Sequence, residues 1–464
     1  MATASELTIL HLKDNHPNDR SQVEIISAKD RAVLRYLSSH SLSEMKNDKG
    51  CDILVLPHSF KETKDEIGDS YVLSYAEDKE GNPESITTGN LVGFIGCNGT
   101  DIRIHSRFSY GENDEVKDYF LYYMLGKVLS LNFFDLNTSS SRDDAIFDFL
   151  LFFFPKMLKE AMSQGMYKKY VYREYNDAKI RGVVDVNRHI RLNIPANGKI
   201  AYRTREFSYD NPVTQLIRHT IEFIRRKPFG KAVLHNDPDT EGYVQQIIQA
   251  TPSFQPRQMQ SIINENLRPV AHPYYTKYAA LQKLCLRILR HEKLSYGENG
   301  DKIHGILIDA AWLWEEYVAR VISGIGGQHY TNPSPLRLFK KEKEFQEIIP
   351  DYMKEEGGKC EWVADAKYIP LAGVTHLPAE KAERVYYKTI MYMYRFCTEK
   401  GFLFYPDDKA EQSNLVTFAI LGYRGGKLHM VGLAIPRSEK DYSSFKNAMV
   451  IQEERFRNKI QNGV

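Results

Sequence analysis

The chain has 464 residues, 42% hydrophobic and 12% aromatic, with 62 Lys and Arg against 60 Asp and Glu. That is too long for one ordinary domain and apolar enough for two or three cored ones. A net charge of +2 rules out arguing from bulk charge to a nucleic-acid or membrane partner, so charge informs only where it is concentrated.

The opening MATASELTIL lacks the basic-then-apolar order of a secretion signal. Residues 1–112 read as a β-rich module, a small barrel or sandwich, with strand-like runs at Asp52–Pro57, Tyr71–Tyr75, Leu91–Gly96 and the alternating Asp101–His105. Gly93, Gly96 and Gly99 read as turn glycines, since no lysine and no helix follow them as in a phosphate loop. The acidic run Glu112–Asp118 reads as a linker. Helices are expected at Tyr119–Leu131 and Asp144–Met162, joined through Ser139-Ser140-Ser141. The apolar core of the second, Ile146–Phe154, is too short to span a bilayer, and no membrane contact is expected.

Residues 113–297 form a helical and basic middle domain. Its segment 166–231 holds 15 Lys and Arg against 6 Asp and Glu. Arg181, Arg188, Arg191, Arg203 and Arg205 alternate with Tyr170, Tyr172, Tyr175 and Tyr202, a mixture that suits a nucleic-acid surface, a contact with an acidic protein or a solvated face. Asn211-Pro212 is a helix start, and Val213, Leu216, Ile217, Thr220, Ile221 and Ile224 make its buried stripe, with His219 structural. Thr251–Pro273 reads as a connection, Tyr274–His291 as a helix and Ser295–Asp301 as a hinge. The five cysteines include no CxxC pair, which suits a reducing cytoplasm and argues against zinc.

Residues 298–464 begin with a helix expected at Ile306–Ser323, with Glu315 beside its apolar seam. The stretch from Glu344 to Pro370 carries the chemistry. Trp362-Val363-Ala364 reads as a buried strand, so Asp365 and Lys367 point to one face and Ala366 to the other. Asp351 follows Pro350 and, with Gly357-Gly358 as the turn between strands, comes alongside. Two converging carboxylates repel unless a cation intervenes. Mg²⁺ takes hard oxygen ligands in this way and binds phosphates through one or two carboxylates, while a nearby lysine can hold or help deprotonate the attacking water. A helix at Ala379–Glu399 puts Lys388 and Tyr392 on one face. Strands at Gly401–Pro406, Leu415–Gly422 and Leu428–Pro436 and a helix at Tyr442–Lys459 complete an α+β, multidomain chain.

Pro-Asp, then a strand ending Asp-x-Lys, then a helix, resembles the PD-(D/E)xK nuclease fold. Two blocks in order are similar to McrC, the nuclease subunit of McrBC-type restriction systems, and to its LlaJI-type counterpart. One is Ile180–Ile190 followed by Arg205–Pro212 and Gln215–Ile217; the other is Leu313–Val318 with Asp351, Asp365, Lys367 and Tyr387–Tyr392. The resemblance implies a Mg²⁺-dependent (or Mn²⁺-dependent) endonuclease acting on double-stranded DNA. It implies assembly with an AAA+ McrB-like GTPase, a hexameric ring whose GTP hydrolysis the subunit stimulates. By the family pattern Asp351 and Asp365 bind the metal, Lys367 serves the water, and Glu315 is the helix acid completing the site. Lys388 stands where the family often has Gln, and it can touch a phosphate, as can Arg181, Arg188 and Arg191. Residues 1–112 have no counterpart in the shortest relatives and read as an added module. The sequence has no GxxxxGK[ST]; Gly425-Gly426-Lys427-Leu428 lacks its spacing and hydroxyl, so GTP enters only through the partner. A non-catalytic DNA-binding adaptor and a stand-alone nuclease are the alternatives.

Overall fold

The computed structural model describes the chain except residues 1–7, 19–26, 48–50, 57–69, 81–82, 98–99, 112–115, 130–141, 228–229, 236, 295–302, 331–335, 341–343, 370–378, 423–424 and 464. The serine connection at 139–141 and all of the 295–301 hinge lie outside the described residues, as does most of the acidic 112–118 run. The chain forms two compact units, one from residues 1–134 and 299–464, the other from 135–298. The architecture is mixed α and β, with several sheets. No described helix is long and apolar enough to cross a membrane.

In the first unit, strands β1 (Thr8–Lys13), β2 (Pro17–Asn18), β3 (Cys51–Leu56), β4 (Leu73–Glu77), β5 (Pro83–Thr88), β6 (Leu91–Cys97) and β7 (Thr100–His105) surround helix α1 (Ala28–Ser39), and α2 (Tyr119–Leu129) follows. The expected barrel or sandwich is replaced by an open five-stranded mixed sheet, β1-β7-β6-β11-β3, beside a small β2-β5-β4 sheet. Its fourth member, β11 (Ile303–Asp309), comes from beyond the second unit and pairs parallel to β3 and antiparallel to β6.

The reading of Ile306–Ser323 as one helix is therefore corrected. Ile306, Leu307 and Ile308 are buried strand residues. The helix, designated α9 below, spans Ala310–Ile322, and the Asp309 carboxylate caps it by accepting from the Ala311 N–H at 2.9 Å. Nor are Gly93 and Gly96 turn residues, since both lie in β6. Gly93 has φ 135°, and a Cβ there would fall 2.1 Å from the Ile306 carbonyl oxygen, so the close approach of β11 requires glycine.

The second unit contains α3 (Arg142–Met162), β8 (Lys169–Asp177), β9 (Val183–Val184), α4 (Val186–Asn193), β10 (Ile200–Ser208), α5 (Pro212–Arg225), α6 (Pro238–Ala250), α7 (Met259–Glu265) and α8 (Tyr278–Leu294). It is not simply helical: the basic segment contains a three-stranded sheet, β8-β10-β9. Helix α7 interrupts the expected connection at 251–273. Helix α5 begins as its sequence indicates. Asn211 accepts from the Val213 and Thr214 N–H groups, and the expected stripe is buried. His219 packs on Phe254, in keeping with a structural role.

Back in the first unit, β11 leads into α9 and then β12 (Gln328–His329), β13 (Leu336–Lys340), β14 (Glu344–Ile348), β15 (Tyr352–Glu356), β16 (Lys359–Ala366), α10 (Ala379–Phe396), β17 (Lys400–Asp407), β18 (Asn414–Ala419), β19 (Lys427–Ala434) and α11 (Tyr442–Gly463). A six-stranded sheet, β12-β15-β16-β17-β19-β18, has a parallel centre and antiparallel edges. Its middle strands are buried on both faces, the pattern of a sheet covered by helices. Trp362, Phe402 and Phe404 pack on one side, where Phe404 meets Phe456 of α11. Val363 packs on the other side with Tyr392 and Met393 of α10.

Candidate active site

The hairpin β15–β16 sets the site. Gly357 and Gly358 have φ 60° and 76°, the mirror-image turn that matches right-handed strand twist and that glycine adopts without a Cβ penalty. Tyr352 pairs with Ala364 and Met353 with Val363. Carried one step on, this register sets Asp351 opposite Asp365. Alternation turns Val363 and Asp365 toward α10, while Trp362, Ala364 and Ala366 turn away. The Ala366 N–H donates to Asp351 Oδ2 at 2.7 Å, fixing that carboxylate at the mouth of the strand pair.

Asp365 is fully buried. Lys367 Nζ meets its Oδ2 in a close ion pair, and Lys388 Nζ, from α10, lies 3.4 Å from its Oδ1. Burial and then the Asp365 charge push Asp351 well above the usual carboxylate range, against the pull of Lys367 and Lys388. Burial works against the charge on both lysines, but Asp365 and Asp351 outweigh it and hold them above the ordinary lysine value. The two carboxylates and two ammoniums therefore form one electrostatic unit.

Glu315 sits on α9, half-buried. Its backbone carbonyl accepts from the Tyr352 hydroxyl at 2.6 Å, and its charge bears on Lys388, Tyr352 and Tyr392. Glu315 is thus near the pair. Among the described residues, however, no three His, Cys, Asp or Glu side chains gather into a metal-holding group. What remains is a two-carboxylate, hard-oxygen donor set faced by the Lys367 and Lys388 ammoniums. That set fits Mg²⁺, which keeps several waters and takes few protein ligands, better than it fits zinc.

Lys367 lies just past the end of β16, so its position depends on the backbone beyond the sheet. Its N–H donates to the Phe404 carbonyl at 2.8 Å. The next residue, Tyr368, is held by Arg107, which donates to its carbonyl at 2.6 Å and lies 4.2 Å from its ring centroid. Asp14 pairs with Arg107 at 3.4 Å. These supports are not visible in local sequence, because Arg107 carries no motif and its partner is far along the chain.

The three arginines singled out for DNA belong to the second unit, whereas this cluster belongs to the first. Arg181 pairs with Asp177 at 3.2 Å and donates to the Tyr202 hydroxyl. Arg188 pairs with Glu174 at 3.3 Å and donates to the Tyr175 carbonyl. Arg191 is exposed on α4.

Residues 86–406 match the family model described as McrBC 5-methylcytosine restriction system component. The chain belongs to this family. The match opens inside the segment read as an added module, so β6 and β7 of this McrBC component lie within it, together with Asp351, Asp365, Lys367 and Lys388. Among solved structures, the chain is similar to one from Thermococcus gammatolerans, a refined half-complex from a tetradecameric assembly of McrB AAA+ hexamers with bound McrC. That similarity has 14% identity and a TM-score of 0.49, covering 98% of this chain and 100% of that one. A second, the Thermococcus gammatolerans McrBC complex, has 15% identity and a TM-score of 0.32 over 68% of this chain and 87% of that one. No curated protein matches the chain.

Proposed function

We propose that this McrBC-family chain is the McrC-like subunit, a PD-(D/E)xK endonuclease that cleaves DNA phosphodiesters with Mg²⁺ (or Mn²⁺) and stimulates an AAA+ McrB-like GTPase ring in the cytoplasm. The observation that carries this reading is the register-matched pair Asp351 and Asp365, faced by Lys367 and Lys388 at one end of a helix-covered sheet. Family membership alone leaves open which subunit the chain is. The lack of a GxxxxGK[ST] motif in the sequence supports the nuclease partner over the nucleotide-binding one.

In this reading residues 298–464 carry the cutting chemistry and 113–297 meet the ring. Asp351 and Asp365 would hold the metal, which would supply polarisation of the phosphoryl oxygen and a lowered pKa for water. Lys367, seated against Asp365, orients the attacking water and offsets charge on the phosphate as it is attacked. The Ala366 N–H keeps Asp351 aimed at the same point. Glu315 supports the cluster from α9, and Lys388 contributes a cation on the exposed side.

The test is reconstitution with the AAA+ partner, GTP, Mg²⁺ and duplex DNA. Asp365→Ala is expected to lower cleavage by at least about 100-fold, the scale of losing a principal electrostatic group, while GTPase stimulation persists. Cleavage at the unaltered rate discards the site assignment. DNA capture without any cutting by the unaltered protein favours the adaptor alternative.

A further inference from the structure

Lys388 and Lys367 divide one carboxylate between them. Lys367 takes Asp365 Oδ2 and Lys388 approaches Oδ1 at 3.4 Å. Asp365 has no exposed surface of its own, so both of its oxygens face cationic side chains. The two lysines are held differently. Lys367 has a side chain 24% exposed, and its backbone is fixed by Phe404 and Arg107 through Tyr368. Lys388 projects from a helix with its side chain 49% exposed, and its ammonium lies 5.5 Å from the Tyr392 ring centroid. A long, half-exposed side chain on a helix can swing at small cost, whereas the Lys367 side chain is the less exposed of the two and makes the closer contact with Asp365.

A cation already sits where a divalent ion would take charge from Asp365. Two positive groups cannot share that oxygen without repulsion, because at such separations like charges cost free energy that only bulk water screens well. We propose that Lys388 is a resident counter-ion that competes with the divalent metal for Asp365, weakening metal binding in the DNA-free protein, and that it moves to a backbone phosphate when DNA enters. The inference rests on the metal-nuclease reading above and adds a form of regulation to it. Loading of the site is tied to substrate, because DNA draws away the lysine that otherwise occupies the carboxylate. The rule for a mobile, half-exposed ammonium applies: its attraction to a partner is modest, so its displacement is reversible.

The experiment is Mn²⁺ titration of the full chain, followed by calorimetry and by the electron paramagnetic resonance signal of free Mn²⁺, without DNA. Unaltered protein is compared with Lys388→Gln, Lys388→Arg and Asp365→Asn, each checked for an unchanged far-ultraviolet circular dichroism spectrum. Lys388→Gln is expected to bind Mn²⁺ about three- to fivefold more tightly, the scale of one partly exposed ion pair, with Lys388→Arg close to the unaltered protein. In the presence of a non-cleavable duplex that advantage disappears. Equal or weaker Mn²⁺ binding by Lys388→Gln overturns the proposal while leaving the nuclease site intact, provided Asp365→Asn has lost the ion. If Asp365→Asn binds Mn²⁺ as the unaltered protein does, the metal reading itself falls, and this proposal with it.

Discussion

Single side chains decide whether the two ends of the first unit stay joined. Arg107 binds the backbone beyond Lys367 through Tyr368, and its own place depends on Asp14. Close by, Asp118 is buried and accepts from the Ser106 N–H at 2.7 Å. Burial pushes Asp118 up to about 7 and Asp14 up to about 6, with Arg107 pulling Asp14 back. Both folded-state values exceed the ordinary carboxylate value of 3.8. The stability these groups contribute is therefore fully present below that ordinary value and is lost as pH rises through 6 to 7. Asp118→Asn removes the ionisation and keeps an acceptor for Ser106. Denaturant titrations at pH 5 and pH 8 should show the variant gaining on the unaltered protein at the higher pH, by roughly 1–3 kcal/mol. A difference between the two proteins that does not change with pH contradicts this assignment of charge.

At the scale of elements, the β6–β11 contact is a close backbone fit, and Gly93 is its measure. Gly93→Ala puts a methyl 2.1 Å from the Ile306 carbonyl oxygen at a φ of 135°, so it should destabilise the first unit by more than about 3 kcal/mol, read as a lowered denaturant midpoint. A midpoint within error of the unaltered protein would mean that β11 stands off further than the structure has it. The same contact explains what could and could not be read from sequence. The β15–β16 hairpin was legible because its glycine turn and alternating residues are local. So was α5, because Asn211-Pro212 caps its own first turn. Strand β11 was not, since Gly305-Ile306-Leu307-Ile308 joins an apolar helical pattern without a break, and only β3 and β6 make it a strand. At the site, Asp365 could be placed by alternation along its strand and Asp351 by the glycine turn that folds the hairpin back, whereas Lys367 lies one residue past the strand end. The Lys388–Asp365 contact and the Arg107 anchor needed the packing of α10 and of the N-terminal sheet, which no spacing in the sequence encodes.

Taken whole, the first unit is built from two stretches of chain that cannot be separated without exposing strand edges. β11 sits between β6 and β3, and Glu453 of α11, itself buried, accepts from Tyr123 and Tyr317 at 2.8 Å and pairs with Lys127 at 3.0 Å. A fragment of residues 299–464 should therefore fail to give a cooperative calorimetric transition alone and regain one when co-expressed with residues 1–134. A lone fragment melting at the temperature of the full chain would refute this interdependence. The layout also has a bearing on synthesis at the ribosome. Strands β3 and β6 emerge with the gap between them unfilled, and the strand that fills it, β11, is not made until all of residues 135–298 have passed. The nascent chain carries an unpaired sheet through that interval, and so the interrupted layout makes the early strands, rather than the late ones, the segment most in need of a holding chaperone.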